Sequence, residues 1–148
     1  MFTIAVCDDD MQERMQEVQI VKNIFSQKEL EAGIEEFQTG QHFLDVLHRV
    51  PYDIVLLDIQ MGEVSGFTLA EELYKITGGE NIIFVSSMEN LVFESIHFRP
   101  FRFVRKSHLE EELTEAVESW IQQNTKTECL EFDETGGVTT VSYTHLRA

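Results

Sequence analysis

The chain has 148 residues, 43% of them apolar, which suits one domain with a closed core and a short remainder. Eleven Lys and Arg against 27 Asp and Glu give a formal charge of -16, which repels nucleic-acid phosphate and anionic lipid, so these residues alone are not expected to bind DNA. Cys7 and Cys129 are too few for a disulfide framework or a metal knuckle, no apolar run approaches the ~20 residues of a spanning helix, and Phe2 to Cys7 meets three aspartates where a leader would have a cleavage site, so a reduced cytoplasmic setting with no membrane contact is expected.

Short apolar runs alternate with longer segments of helical period, a pattern that predicts a parallel sheet covered by helices. Phe2 to Cys7 reads as the first strand, and Met11, Met15, Val18, Val21 and Phe25 then step by four and three along a first helix. Gly33 to Gln38 is a more polar strand suited to a sheet edge. Thr39-Gly40 follows as a cap, and Phe43, Leu47 and Val50 mark a second helix. Tyr52 to Leu57 is nearly all apolar, as a central strand must be, and Ala70, Leu73 and Ile76 mark a third helix ended by Gly78-Gly79. Asn81 to Val85 is another central strand, followed by a short helix over Leu91, Val92 and Ile96 that stops before Pro100. Phe101 to Val104 reads as the fifth strand. Leu109, Leu113, Ala116, Val117, Trp120 and Ile121 form the fifth helix, with Ser107 and Glu110 as its capping pair. Every Met and aromatic residue in these stripes is expected in the core, Phe103 excepted.

After Gln123 the pattern changes. Asn124 to Thr127 reads as a linker, Cys129 to Phe132 as a strand, Asp133 to Gly137 as a turn and Val138 to Tyr143 as the returning strand, while Tyr143 to Ala148 carry no usable pattern. A lone hairpin is marginal in water, so 124–148 is expected to be a linker and the truncated start of a β-rich output domain that follows a first domain over 1–123.

In an open parallel sheet, ligands bind beyond the carboxyl ends of the strands, where the winding reverses. The residues there are Asp8, Asp9 and Asp10 after the first strand, Asp58 after the third, Ser86 and Ser87 after the fourth, and Arg105 and Lys106 past the fifth. With the first strand beside the third, Asp8, Asp9 and Asp58 converge. Two carboxylates ~4 Å apart repel by about 4 kcal/mol at an effective dielectric of 20, so a proton or a cation must relieve them. All-oxygen ligation favours a hard ion such as magnesium, with Asp9 and Asp58 as direct ligands, Asp8 acting through water and the Gln60 carbonyl completing the set. A carboxylate beside magnesium and an ammonium is suited to attack on phosphorus, with Lys106 pairing with phosphoryl oxygens and the Ser86 hydroxyl donating to another. No glycine-rich nucleotide loop is present, which favours a phosphoryl acceptor over a nucleotide hydrolase. Singly, each residue has a duller role: Asp9 or Asp10 as a helix cap, Asp58 in a loop, Lys106 as a solvated charge. Their conjunction at four strand ends favours a site.

The segments Val6-Cys7-Asp8-Asp9, Val55 to Met61, Gly66, Val85-Ser86-Ser87 and Phe103-Val104-Arg105-Lys106 resemble the receiver domain of bacterial response regulators over residues 1 to about 123. That resemblance implies a flavodoxin-like, doubly wound five-stranded parallel sheet of order 2-1-3-4-5. It also implies metal ligands at Asp8 and Asp9, a phosphoacceptor at Asp58, a hydroxyl contact at Ser86, a switch aromatic at Phe103 and a phosphate-contacting lysine at Lys106. A sensor histidine kinase is the implied phosphoryl donor. Arg99 to Phe103, Phe37 to Gly40 and Leu130-Glu131-Phe132 resemble the LytTR branch, transcription regulators whose β-rich output domain binds DNA; any DNA contact would belong to that missing domain. The family's usual proline after the lysine is Ser107 here, and its loop proline after the phosphoacceptor is Gly62.

Two other classes compete. A magnesium-dependent aspartyl-phosphate phosphatase would want an aspartate two residues past the nucleophile, where Gln60 stands, and a degenerate receiver that only binds proteins would not need the full acidic set. Arg99, Arg102, Arg105 and Lys106 lie beside a helix carrying Glu110, Glu111, Glu112, Glu115 and Glu118. These patches could meet across a two-fold axis in a homodimer, on the face of the fourth helix, fifth strand and fifth helix, or close an ion network within one chain.

Overall fold

Strands with no polar face need cover on both sides, and the fold supplies it. A computed structural model describes residues 1–125 and the strand segments Glu128–Phe132 and Val138–Ser142. Five strands, β1 (Phe2–Cys7), β2 (Ala32–Phe37), β3 (Ile54–Leu57), β4 (Ile82–Ser86) and β5 (Arg102–Arg105), form a parallel sheet of order β2-β1-β3-β4-β5. The helices are α1 (Met11–Gln27), α2 (Gly40–Val46), α3 (Gly66–Thr77), α4 (Val92–Ile96) and α5 (Leu109–Asn124). This is the doubly wound topology expected from the alternation of elements.

The period of two divides each central strand between two cores. Ile4, Val6, Ile54, Leu56, Ile83 and Val85 pack with α1 and α5 around Phe25 and Trp120. Ala5, Cys7, Val55, Leu57, Ile82 and Phe84 pack on the other face with Phe43 of α2 and Leu69 and Leu73 of α3. The β1 to β3 register pairs Cys7 with Leu57, so Asp8 and Asp58 leave adjacent strand ends at the same level. The remaining described strands, β6 (Glu128–Phe132) and β7 (Val138–Ser142), pair antiparallel as the sequence suggested. The expected turn from Asp133 to Gly137, the linker positions Lys126 and Thr127 and the tail from Tyr143 lie outside the described residues.

Helix ends follow capping chemistry. Asp10 Oδ1 accepts from the Glu13 backbone N–H at 2.9 Å, Thr39 Oγ1 accepts from His42 at 3.2 Å, and α3 ends on Gly78 at φ +76°. Ser107 does not cap α5. It lies in a tight turn over Lys106–His108 with its hydroxyl 2.9 Å from His108 Nδ1, so the helix starts later than the capping pair implied. Glu110, Glu111 and Glu112 in the first turn of α5 complement its dipole instead.

The apolar stripes also need correction at their ends. Met11 and Met15 are exposed, because α1 buries Glu17, Val18, Ile20, Val21, Ile24 and Phe25, and its first turn stands at the carboxyl edge of the sheet. Ile76 and Ile96 are exposed as well, at the last turns of their helices. The basic and acidic patches close largely within the chain: Arg105 pairs with Glu112 and, at 3.5 Å, with Glu89, and Arg102 lies 3.6 Å from Glu115. Exposed pairs of this kind are worth ~0–1 kcal/mol.

Candidate functional site

Four strand ends converge at the switch point between β1 and β3. Asp8 follows β1 and is fully buried, Asp58 follows β3 and is buried, Ser86 closes β4 and is buried, and Lys106 follows β5 half-buried. Lys106 reaches back over the sheet edge, placing Nζ 3.0 Å from Asp8 Oδ2 and 3.0 Å from Asp58 Oδ2. A third carboxylate, Glu13 in the first turn of α1, also bonds this ammonium. One oxygen of each of Asp8, Glu13 and Asp58 lies within 4.8 Å of the other two.

The local backbone holds these groups in place. Asp8 Oδ1 accepts from the Asp10 N–H at 2.9 Å, and Asp58 Oδ1 accepts from the Gln60 N–H at 3.2 Å. Arg14 Nη1 donates to the Asp8 carbonyl at 2.8 Å while its Nε meets Glu36 Oε1 at 3.0 Å, tying the loop after β1 to the sheet edge. Ser86 Oγ accepts from the Met88 N–H at 3.0 Å, a bond that does not use the hydroxyl hydrogen. Gln60 is exposed, and Gly62 beyond it turns at φ +71°, in the left-handed region that glycine tolerates.

The loop after Asp58 folds back tightly, with the Gly66 N–H donating to the Ile59 carbonyl at 2.8 Å. A Cβ at Gly66 would lie 2.2 Å from the Asp58 carbonyl oxygen, a backbone atom that cannot swing aside. Gly66→Ala is therefore expected to destabilise by about 1–3 kcal/mol through overpacking and to slow chemistry at Asp58 by shifting its backbone. Urea melts of parent and variant check this, and an unchanged midpoint would count against the close approach.

Charge explains the protonation states. Burial pushes the Asp58 carboxyl up to about 6, the Lys106 ammonium pulls it back, and Asp8 adds to the rise. Burial disfavours the Lys106 charge, but the bond to Glu13 and the charges of Asp58 and Asp8 outweigh it and hold its pKa above the usual lysine value. Glu17, one turn beyond Glu13, is fully buried, and as a carboxylate neither of its oxygens would find a donor. Burial first, then the neighbouring Asp8, raise its pKa well above the usual carboxylate range, which favours the protonated form.

Asp8, Asp58 and Lys106 thus lie together, and Ser86 closes the neighbouring β4, with its hydroxyl bonded to the Met88 N–H. Asp9 does not join the carboxylate group. Successive side chains of an extended segment point to opposite sides, so burying Asp8 leaves Asp9 exposed, and the third carboxylate is Glu13. Phe103 is half-buried on β5, 6.4 Å from the Phe84 ring centroid, on the wall of a groove of about 360 Å³ that it shares with Val92, Arg105 and Glu112. Glu13, Arg14 and Glu17 were not singled out from sequence. Their signal was three charged residues on one helix just past an aspartate run.

The residues present fit a hard divalent cation. The donors are carboxylate oxygens, and the buried Asp8 Oδ2 has no hydrogen bond of its own, only the charge of Lys106 beside it. An acidic pocket with one ammonium at the carboxyl edge of a doubly wound sheet defines a site for a cation and an oxyanion together. Residues 4–118 match the response regulator receiver domain, and the chain belongs to that family. The fold is similar to the response regulator TrrA of Thermotoga maritima, solved in complex with Mg2+ and beryllofluoride, at 24% identity and TM-score 0.67 over 81% of this chain and 99% of that one. It is similar also to FixJ of B. japonicum, at 23% identity and TM-score 0.68 over 82% of this chain and 58% of that one. Among curated proteins, the sensory transduction protein LytR of Staphylococcus epidermidis is 24% identical over 91 residues, covering 60% of this chain but only 36% of that protein. The chain is the receiver domain of a response regulator. Among the described residues, no helix is long and apolar enough to cross a membrane.

Proposed function

We propose that Asp58 is the phosphoacceptor, taking its phosphoryl group from a partner histidine kinase in a phosphorelay. The observation that carries the reading is the Lys106 ammonium at 3.0 Å from both Asp8 and Asp58, the buried carboxylates that follow β1 and β3. An Asp58 carboxylate oxygen forms the new bond to phosphorus as the donor's phosphorus–nitrogen bond breaks. Lys106 neutralises the phosphoryl oxygens and the Ser86 hydroxyl donates to one of them. Magnesium, when bound, supplies the rest of the charge neutralisation. Asp8, Asp58, the adjoining Asp9 and the Gln60 carbonyl are the groups that would hold it. The TrrA complex with Mg2+ and beryllofluoride supports that choice of ion.

As a phosphoacceptor, the domain changes its own charge and does not turn over a substrate; Gln60 in place of an acid two residues past Asp58 favours this over a phosphatase. The signal passes through Ser86 and Phe103 to the surface of α4, β5 and α5 and from there to a transcriptional output domain. The LytR similarity supports an output of LytTR type, in a cytoplasmic protein whose DNA contacts lie beyond residues 1–123. A homodimer would use the same surface, where Phe93 and Ile96 stand exposed.

Incubation with acetyl phosphate and magnesium, read by intact mass, tests the assignment. The parent is expected to gain one phosphoryl group and Asp58→Ala none. Labelling of Asp58→Ala at the parent rate would place the chemistry on another carboxylate.

A further inference from the structure

Lys106 Nζ donates to Glu13 and to Asp58 and stands 3.0 Å from Asp8 Oδ2, so three carboxylates surround one ammonium. A phosphoryl oxygen that pairs with Lys106 therefore competes with these carboxylates for the ammonium. Asp8 is fully buried, and Asp58 carries the incoming group itself. Glu13 differs from both: its side chain is 41% exposed, so water can solvate it when it lets go. Its backbone N–H is held separately by Asp10, so releasing the side chain leaves the start of α1 intact.

We propose that Glu13 is a positioning residue, a counter-ion that holds Lys106 in the resting site and is displaced by the phosphoryl group, so that its charge slows phosphorylation of Asp58 by anionic donors. Two effects point the same way. Glu13 competes for the ammonium that the phosphoryl oxygens need. Its carboxylate also adds a negative charge to the mouth of a pocket that must admit an anion. The inference rests on Asp58 as acceptor and Lys106 as its phosphoryl contact.

The test compares the parent, Glu13→Gln and Glu13→Asp in initial rates of labelling by acetyl phosphate across a magnesium series. Beryllofluoride affinity, followed by nuclear magnetic resonance, is the second readout. Glu13→Gln keeps the shape and removes the charge. It is expected to label about two- to fivefold faster, the range of one partly exposed charge pair, and to bind beryllofluoride tighter by a similar factor, with the half-saturating magnesium concentration unchanged. Glu13→Asp restores the charge and is expected to return toward the parent rate. An unchanged or slower Glu13→Gln rate overturns the proposal. A slower rate with a raised magnesium requirement would also overturn it, by making Glu13 a metal ligand. A parent that does not label, or an Asp58→Ala variant that does, would refute the acceptor assignment instead, and the two failures are therefore distinct.

Discussion

Lys106→Met is expected to be among the most damaging single changes in the domain, costing about 2–4 kcal/mol in metal-free protein at pH 8 and slowing phosphorylation about a hundredfold. Methionine matches the stem of lysine, so packing is retained and the loss is electrostatic. Without the ammonium, carboxylates within 4.8 Å face each other, and two unit charges at that distance repel by about 3 kcal/mol at an effective dielectric of 20. The pH dependence has a definite sign. Lys106 lowers the Asp58 pKa, so its removal lets that pKa rise beyond about 6, and the folded variant holds a proton that the unfolded chain has lost. Stability of the variant must then fall as pH rises through that range, and the gap to the parent should narrow toward pH 5. Magnesium should restore more stability to the variant than to the parent, because it returns positive charge to the same oxygens. Thermal melts across pH, with chelator or magnesium, measure all of this. A variant that melts with the parent at pH 8 and labels at the parent rate would reduce Lys106 to a solvated charge.

The sheet was legible in the sequence because its physics is local. The runs at 54–57 and 82–85 have no polar face and can only be central strands, and the polar Gly33 to Phe37 segment takes the edge, as β2 does. The juxtaposition of Asp8, Asp58 and Lys106 was legible for a related reason: topology brings those strand ends together. The misreadings share a cause as well. In α1 the buried line runs through Glu17, Ile20 and Ile24, continuing the line that starts at Glu13 near the site, so charged residues occupy positions that an apolar stripe would mark. Met11 and Met15 share the period of the buried Val18, Val21 and Phe25, but they stand in the first turns of the helix, beyond the core, and are exposed. Glu13 takes its place only because Lys106, 93 residues away in sequence, crosses the sheet edge to meet it. The capping pair Ser107 and Glu110 failed similarly. The tight turn that carries Lys106 over the site occupies Ser107, and no local pattern encodes that demand.

The same charge balance gives Asp58→Asn an unusual expected sign: a substitution at the reacting residue that stabilises the metal-free domain. The folded pKa of Asp58, about 6, lies above its ordinary 3.8. Between those values the folded state binds the extra proton, so the stability that Asp58 contributes is full below the lower value and is lost as pH rises through the upper one. Above pH 6 the ionised group therefore works against the fold. Asparagine removes that charge and keeps an oxygen for the Gln60 N–H, while Asp8 and Glu13 remain with Lys106. At pH 7.5 in chelator Asp58→Asn should gain about 1–2 kcal/mol, less than the full shift implies because the ionised Asp58 also pairs with Lys106, and that pairing is lost in the variant. That gain corresponds to roughly 3–8 °C in melting temperature for a domain of this size. The advantage should vanish near pH 4, where the parent carboxyl is protonated anyway. Magnesium should reverse the order, since a metal bound only by the folded state adds about 2.7 kcal/mol at a hundredfold excess over its Kd and the variant has lost a ligand. The melts need fixed ionic strength to separate binding from screening. If the parent ignores magnesium and Asp58→Asn melts lower in chelator, Asp58 is an ordinary loop aspartate stabilised by its ion pair, and the cation site fails with it.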